Sequence, residues 1–290
     1  MSEDLETTIK VRVNPANPGQ FFACCGLLEL ADRLWEGTEG WFDGGAHFCL
    51  RSTQAGSNFS AAKLIGEIAR CPLSNTMTDS QHKRREELSA MAGQTREADP
   101  ALDAEKKQLD ALYRQAPVLV REPFNLTLDW FLDDRAGGSD FKTWAGQQSA
   151  VDIAIGMKAL LDPNHFSPEE WLFRSSGADG LPFNFDSDLG GVGSALDVGF
   201  SFDPLKDTGL RIRTRPLLEF AVFVGLQRFR PRRIGIQNVY EYAIWCEPLL
   251  SEVASVVVCG SVECLKSRAF RFALLYRTKY LKSFLPATPI

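Results

Sequence analysis

From Pro216 to Leu226 the chain is apolar on every side of a would-be helix, and arginines close the stretch at both ends: Arg211, Arg213 and Arg215 before it, Arg228, Arg230, Arg232 and Arg233 after it. A helix without a polar face belongs inside a core. The chain can surround it, since 290 residues with 44% apolar types suffice for one large domain. Charged residues at 24% and aromatics at 11% lie near globular averages, which excludes a disordered or collagenous polypeptide. No apolar run reaches the ~20 residues of a membrane-crossing helix, and the first thirty residues lack a basic start followed by a cleavable apolar segment. The sequence therefore reads as a soluble, cytoplasmic protein with no membrane partner.

The arginines belong to a larger asymmetry. Residues 211–290 hold thirteen basic side chains against five acidic ones, a net +8, and residues 1–210 carry −13, giving the overall −5. Guanidinium forks match phosphate oxygens, and a cluster that neutralises several phosphates gains affinity by releasing counterions. Arg211, Arg213 and Arg215 alternate along a predicted strand and so share a face. Phe229, Tyr240, Tyr242, Phe270, Tyr276 and Tyr280 are interleaved with the cations, as base stacking beside a tracked backbone requires. These features nominate a nucleic-acid face composed of Arg211, Arg213, Arg215, Arg228, Arg230, Arg232, Arg233, Arg271, Arg277, Lys279 and Lys282. A plainer reading competes with it, in which the arginines pair with acids of the first 210 residues.

Hydrophobic periodicity outlines an α+β chain in a single domain. Ile9, Val11 and Val13 alternate in a strand. Asn17 and Pro18 then open a helix carrying Phe21, Cys24, Cys25, Leu28, Ala31, Leu34 and Trp35 at helical spacing. A strand is predicted over 46–51, a helix over 61–70, strand character over 117–121 and 125–132, and a helix over 141–161. Further strands are predicted over 171–174, 195–202, 209–215, 240–246, 256–259 and 269–276. Residues 175–193 read as a loop. Residues 79–115 are densely charged with mixed signs and predict a helical hairpin that interrupts the domain as a solvated insertion.

No catalytic group, metal site or cofactor motif emerges. The seven cysteines are scattered without metal-ligand spacing and read as small buried hydrophobes, and the three histidines are far apart. Asp129, Asp133, Asp134, Asp140, Asp186, Asp188, Asp197 and Asp203 are the residue type that holds Mg²⁺ in a nuclease, but their spacing selects no catalysis. The run Leu189-Gly-Gly-Val-Gly-Ser-Ala195 lacks the Gly-Lys-Ser/Thr of a phosphate loop and the third glycine of a dinucleotide fingerprint. His47, between Ala46 and Phe48 in a strand, and Cys24 and Cys25, in an apolar helix, favour structural roles over a general base or nucleophile.

Three segments carry a resemblance: Asn14-Pro-Ala-Asn-Pro-Gly-Gln-Phe-Phe-Ala-Cys-Cys-Gly-Leu-Leu-Glu-Leu-Ala-Asp-Arg33, Phe141-Lys-Thr-Trp-Ala-Gly-Gln-Gln148, and Arg215 to Arg233. Together they resemble the small subtype-specific subunit of type I-G (formerly I-U) CRISPR systems, described either as the third b-series accessory protein or as a short large-subunit variant. The resemblance implies a non-enzymatic component of a CRISPR RNA-guided antiviral surveillance complex (Cascade), built on an RRM-like, ferredoxin-type βαββαβ element. It further implies that the basic C-terminal part, 211–290, contacts CRISPR RNA or target DNA while the acidic remainder faces other effector subunits; base pairing would supply sequence choice. An endoribonuclease that matures CRISPR RNA and a purely structural subunit are the alternatives. No family catalytic residue carries over to this sequence.

Overall fold

The structure is a computed structural model that describes residues 8–44, 46–92, 99–135, 138–163, 171–178, 182–189, 212–235, 238–260, 267–276 and 282–290. Strand β1 (Thr8–Arg12) buries Ile9 and Val11 and exposes the residues between them. It leads into α1 (Pro18–Leu34), where the Asn17 side chain accepts the Gln20 N–H and Pro18 occupies the first turn. Pro18 to Ala31 are all buried, so α1 is a core helix on every face. Strands β2 (Glu39–Phe42) and β3 (His47–Arg51) follow, and β3 pairs antiparallel with both β1 and β2. β1 and β2 therefore run in the same direction on either side of β3, with α1 as the crossover between them.

After a Ser60-capped α2 (Ala61–Arg70), strand β4 (Leu73–Asn75) pairs with β5 (Val118–Val120) and β5 with β6 (Leu126–Leu128), forming a separate three-stranded sheet rather than extending the first. The charged segment sits between β4 and β5 as two helices, α3 (Asp79–Ala92) and α4 (Pro100–Gln115). Arg84 pairs with Glu105, Arg85 with Asp110, and Arg85 also covers the Tyr113 ring at 3.9 Å. The mixed charges are thus used between the two helices. Helix α5 (Ala150–Ala159) begins at a Ser149 cap, nine residues later than its predicted start; Gly138–Phe141 instead form a 3-10 turn.

Strand β7 (Ser176–Ala178) pairs with β8 (Ile212–Thr214), and α6 (Pro216–Arg228) follows. The predicted strand at 195–202 lies outside the described residues, and so do most of the glycine-rich run, Asp197 and Asp203. Helix α6 is buried from Pro216 to Leu226 and lies against α1 with backbones in contact: a β-carbon on Gly26 would stand 1.9 Å from the Ala221 carbonyl oxygen, and one on Gly225 2.3 Å from that of Phe22. No side chain larger than hydrogen fits at either position.

The second large sheet has the order β13-β12-β10-β9, from β9 (Arg232–Arg233), β10 (Val239–Trp245), β12 (Ser267–Tyr276) and β13 (Lys282–Phe284), with β14 (Thr288–Pro289) also paired to β12. Tyr242 stacks on Phe21 at 4.2 Å, and Phe272 and Phe284 approach Phe22, which seats α1 on this sheet. Trp245 reaches the first sheet, meeting Phe42 edge-on at 5.2 Å and donating its indole N–H to the Gly40 carbonyl. Strand β11 (Leu249–Leu250) extends that first sheet along β2.

Two predicted strands take other forms. Residues 171–174 contain a 3-10 turn, Trp171–Phe173, and residues 256–259 end helix α7 (Ser251–Val258). The valine-rich sequence of α7 favours a strand locally, but Ala254, Val257 and Val258 meet the core at helical spacing, and tertiary packing overrides the propensity. The result is an α+β chain with seven helices among the described residues and several antiparallel sheets.

Candidate functional site

Folding takes many of the C-terminal cations to carboxylates of the same chain. Arg215, immediately before α6, donates to Asp186 at 2.7 Å and to Asp188 at 3.3 Å, and its guanidinium lies over Phe173. Asp186 is 1% exposed and also accepts from the Asn17 amide, while Gln20 donates to Asp188. The arginine thereby ties the start of α6 to the start of α1 through residues 186–188. One turn along α6, buried Glu219 accepts the backbone N–H groups of Phe185 and Asp186. Burial pushes its carboxyl up to about 8; the Phe185 N–H opposes the rise and the Asp186 charge adds to it.

At the other end of α6, Arg228 grips Glu29 of α1 with two nitrogens, at 2.5 and 3.3 Å, and reaches Glu252 at 3.4 Å. Arg230 pairs with Asp133 at 3.1 Å. These contacts correct the expectation of one continuous unpaired basic face: Arg215, Arg228 and Arg230 hold the fold together. The physical reason is that burying a carboxylate such as Glu29, 3% exposed, is costly unless a cation and its hydrogen bonds compensate the lost water. The same contacts account for four of the eight aspartates: Asp133, Asp186 and Asp188 are arginine partners, and Asp129 pairs with Gln227. Among the described residues no group of three or more His, Cys, Asp or Glu is placed to hold a metal ion.

The second sheet presents a different arrangement. Arg232 of β9 and Arg271 of β12 lie in register on either side of Glu241 of β10 and both donate to it, at 2.8 and 2.6 Å. These hydrogen bonds, Arg232's first, hold the Glu241 carboxyl below its usual range. One carboxylate serves two guanidiniums that are 56% and 48% exposed. Next along β9, half-exposed Arg233 donates to Asp140, which also accepts from the Tyr240 hydroxyl. Lys282 on β13 donates to the backbone carbonyls of Asp140 and Ser139 and stands over the ring of Tyr276, which is 43% exposed. Arg213 on β8 is exposed and donates to the Ser175 hydroxyl. Arg211, Arg277 and Lys279 lie outside the described residues.

The aromatic residues take the opposite course to the one expected of a stacking platform. Phe229, Tyr240, Tyr242 and Phe270 are core residues, Tyr276 is the exposed ring of the set, and Tyr280 lies outside the described residues. His47 bonds Asp43 at 3.1 Å and His82 bonds Asn75 at 2.8 Å. Cys24 and Cys25 are fully buried, and burial pushes both thiols well up; Cys246, by contrast, is exposed.

One cation outside the basic third lies beside this face. Lys142 follows the Gly138–Phe141 turn, and its ammonium stands 5.6 Å over the Trp144 ring. It is half-buried, and the Lys282 N–H donates to the carbonyl of the adjacent Thr143. Burial holds the Lys142 ammonium pKa below its usual value, and the charges of Lys282 and Arg114 push it further down. Sequence reading passed over Lys142 and Arg114 because both lie in the acidic first 210 residues, where no local pattern distinguishes them.

Comparison of the chain with protein-family models, with curated proteins and with solved structures finds no match.

Proposed function

We propose that this chain is a non-enzymatic nucleic-acid-binding subunit of a type I-G CRISPR RNA-guided effector complex, contacting CRISPR RNA or target DNA with the outer face of its second sheet. The observation that carries the binding half is the Arg232–Glu241–Arg271 row, in which two half-exposed guanidiniums share one carboxylate and retain net positive charge at the surface. Each of these guanidiniums is about half exposed, so a phosphate oxygen can reach its open side while Glu241, 7% exposed, keeps its hydrogen bonds; Arg215 and Arg228, 21% and 30% exposed, offer less open surface.

The effector-complex setting rests on the resemblance of the three segments. Those segments meet around one core: Asn17 and Gln20 share Asp186 and Asp188 with Arg215, and Trp144 lies 6.1 Å from Phe223. The β1-α1-β2-β3 order, with β3 between parallel β1 and β2, matches the first half of a βαββαβ unit and supports the RRM-like reading of that element.

The test is fluorescence anisotropy of repeat RNA and of single-stranded DNA across a salt series, comparing wild type with the Arg232→Gln/Arg271→Gln variant. With Glu241→Gln added to remove the stranded buried carboxylate, and a circular dichroism melt run beside the assay, the variant should bind more weakly and lose about 1–2 from the slope of log K against log salt, at ~0.7 per phosphate contact. Equal affinity and slope would remove the sheet face from the interface, and shortening of the RNA during the assay would favour the processing nuclease instead.

A further inference from the structure

The first sheet lays one side on α1, where Phe42 stacks on Phe21 at 5.7 Å, and turns its other side outward. Ile9, Val11, Phe48 and Leu50 point into the core, so alternation puts Lys10 and Arg12 of β1, His47 and Arg51 of β3, and Trp41 of β2 on the outer side. The register lines them up: Lys10 lies beside Cys49 and Cys49 beside Trp41, while Arg12 lies beside His47. Two strand spacings hold the backbones of Lys10 and Trp41 about 10 Å apart, and Lys10 and Arg12 stand about 7 Å apart along β1. Arg51 bonds Glu39 at 2.7 Å and lies over the Trp41 ring at 5.7 Å, and His47 bonds Asp43 at 3.1 Å. Lys10 and Arg12 are exposed, and among the described residues neither side chain has a hydrogen bond or a carboxylate partner.

We propose that this face is a second surface for single-stranded nucleic acid, with Lys10 and Arg12 taking neighbouring phosphates and the Arg51–Trp41 stack taking a base. Exposed cations without an acid partner break no protein contact when they meet phosphate oxygens, and each releases a counterion from the strand. An unpaired base stacks on an indole or on a guanidinium plane, and the gap between the cations and Trp41 leaves room for the sugar. A peptide strand would instead add to the free edge of β1, and there the indole N–H of buried Trp171 already occupies the Lys10 carbonyl at 3.3 Å. The inference rests on the reading above only in its premise that the chain binds nucleic acid. It places a contact within residues 1–210, the acid-rich part of the chain, apart from the second sheet.

Ultraviolet cross-linking of an oligouridylate to the intact protein, with the attached peptide read by mass spectrometry, tests this beside anisotropy of the same oligomer. A cross-link should fall on Trp41. Lys10→Gln/Arg12→Gln should leave the melting temperature unchanged and lower the slope of log K against log salt by about 1.4, two contacts at ~0.7 each. Trp41→Ala should weaken binding about tenfold, and Trp41→Phe, which keeps a ring, should retain most of the affinity. Duplex DNA of the same length, whose bases are already stacked, should bind Trp41→Ala and wild type alike. Arg232→Gln/Arg271→Gln/Glu241→Gln separates the two surfaces, since a cross-link at Trp41 that persists in this variant supports the first sheet even if the second proves idle. Cross-links confined to other segments, together with unchanged affinity and slope in Lys10→Gln/Arg12→Gln, would overturn the proposal and leave the second-sheet reading standing. An oligouridylate that no form of the protein binds would overturn both.

Discussion

Replacing Arg228 by leucine removes two of the three hydrogen bonds that guanidinium groups make to Glu29, at 2.5 and 3.3 Å, and leaves the Arg33 contact at 3.1 Å. Glu29 is 3% exposed on a core helix, and Arg33 is 38% exposed. Deleting one partner of a buried ion pair costs about 3–5 kcal/mol, and the remaining arginine brings this case to or below the lower bound, at about 2–3 kcal/mol. For a chain of 290 residues that is a fall in Tm of about 3–5 °C. Adding Glu29→Met removes the stranded carboxylate, so the double variant should regain most of the loss, with a coupling energy of about 2 kcal/mol. Thermal unfolding by circular dichroism reads all four members of the cycle. An Arg228→Leu protein that melts with the wild type, or a double variant no better than the single one, would show that the pair does not support the fold. The cycle also bears on function: reduced RNA binding by an Arg228 variant would report lost structure, so binding by any arginine variant is read beside its melting temperature.

Gly26→Ala should destabilise by more than about 3 kcal/mol, beyond the usual range for overpacking, because its methyl would overlap a backbone carbonyl that cannot rotate away. Gly156→Ala in α5, with open space around the new methyl, should stabilise by about 0.5–1 kcal/mol, and denaturant midpoints that fail to separate the two would refute the close α1–α6 packing. Glu219 supplies a pH prediction. Its folded-state pKa of about 8 lies above that of an unfolded glutamate, so its contribution is full below the unfolded value and is lost as pH rises through the folded one. Glu219→Gln should therefore flatten the decline in stability between pH 5 and pH 9, and an unchanged decline would mean that Glu219 is not the group responsible.

Much of the local structure follows from local sequence. The alternation of Ile9 and Val11, the Asn17-Pro18 opening and the apolar run from Pro216 to Leu226, broken only by Glu219, specify β1, α1 and α6 because each signal acts over a few residues. The charge asymmetry is likewise a property of the sequence, but what it means is not. Whether an arginine faces solvent or a buried acid depends on residues 29, 133, 186 and 241 arriving beside residues 228, 230, 215 and 232, and no window of sequence contains both members of most of these pairs. Period and capping set which elements form, because they are near-neighbour effects. Tertiary structure divides the cations into those that bind the fold together and those left at its surface, because desolvated carboxylates claim whichever guanidinium folding brings nearest.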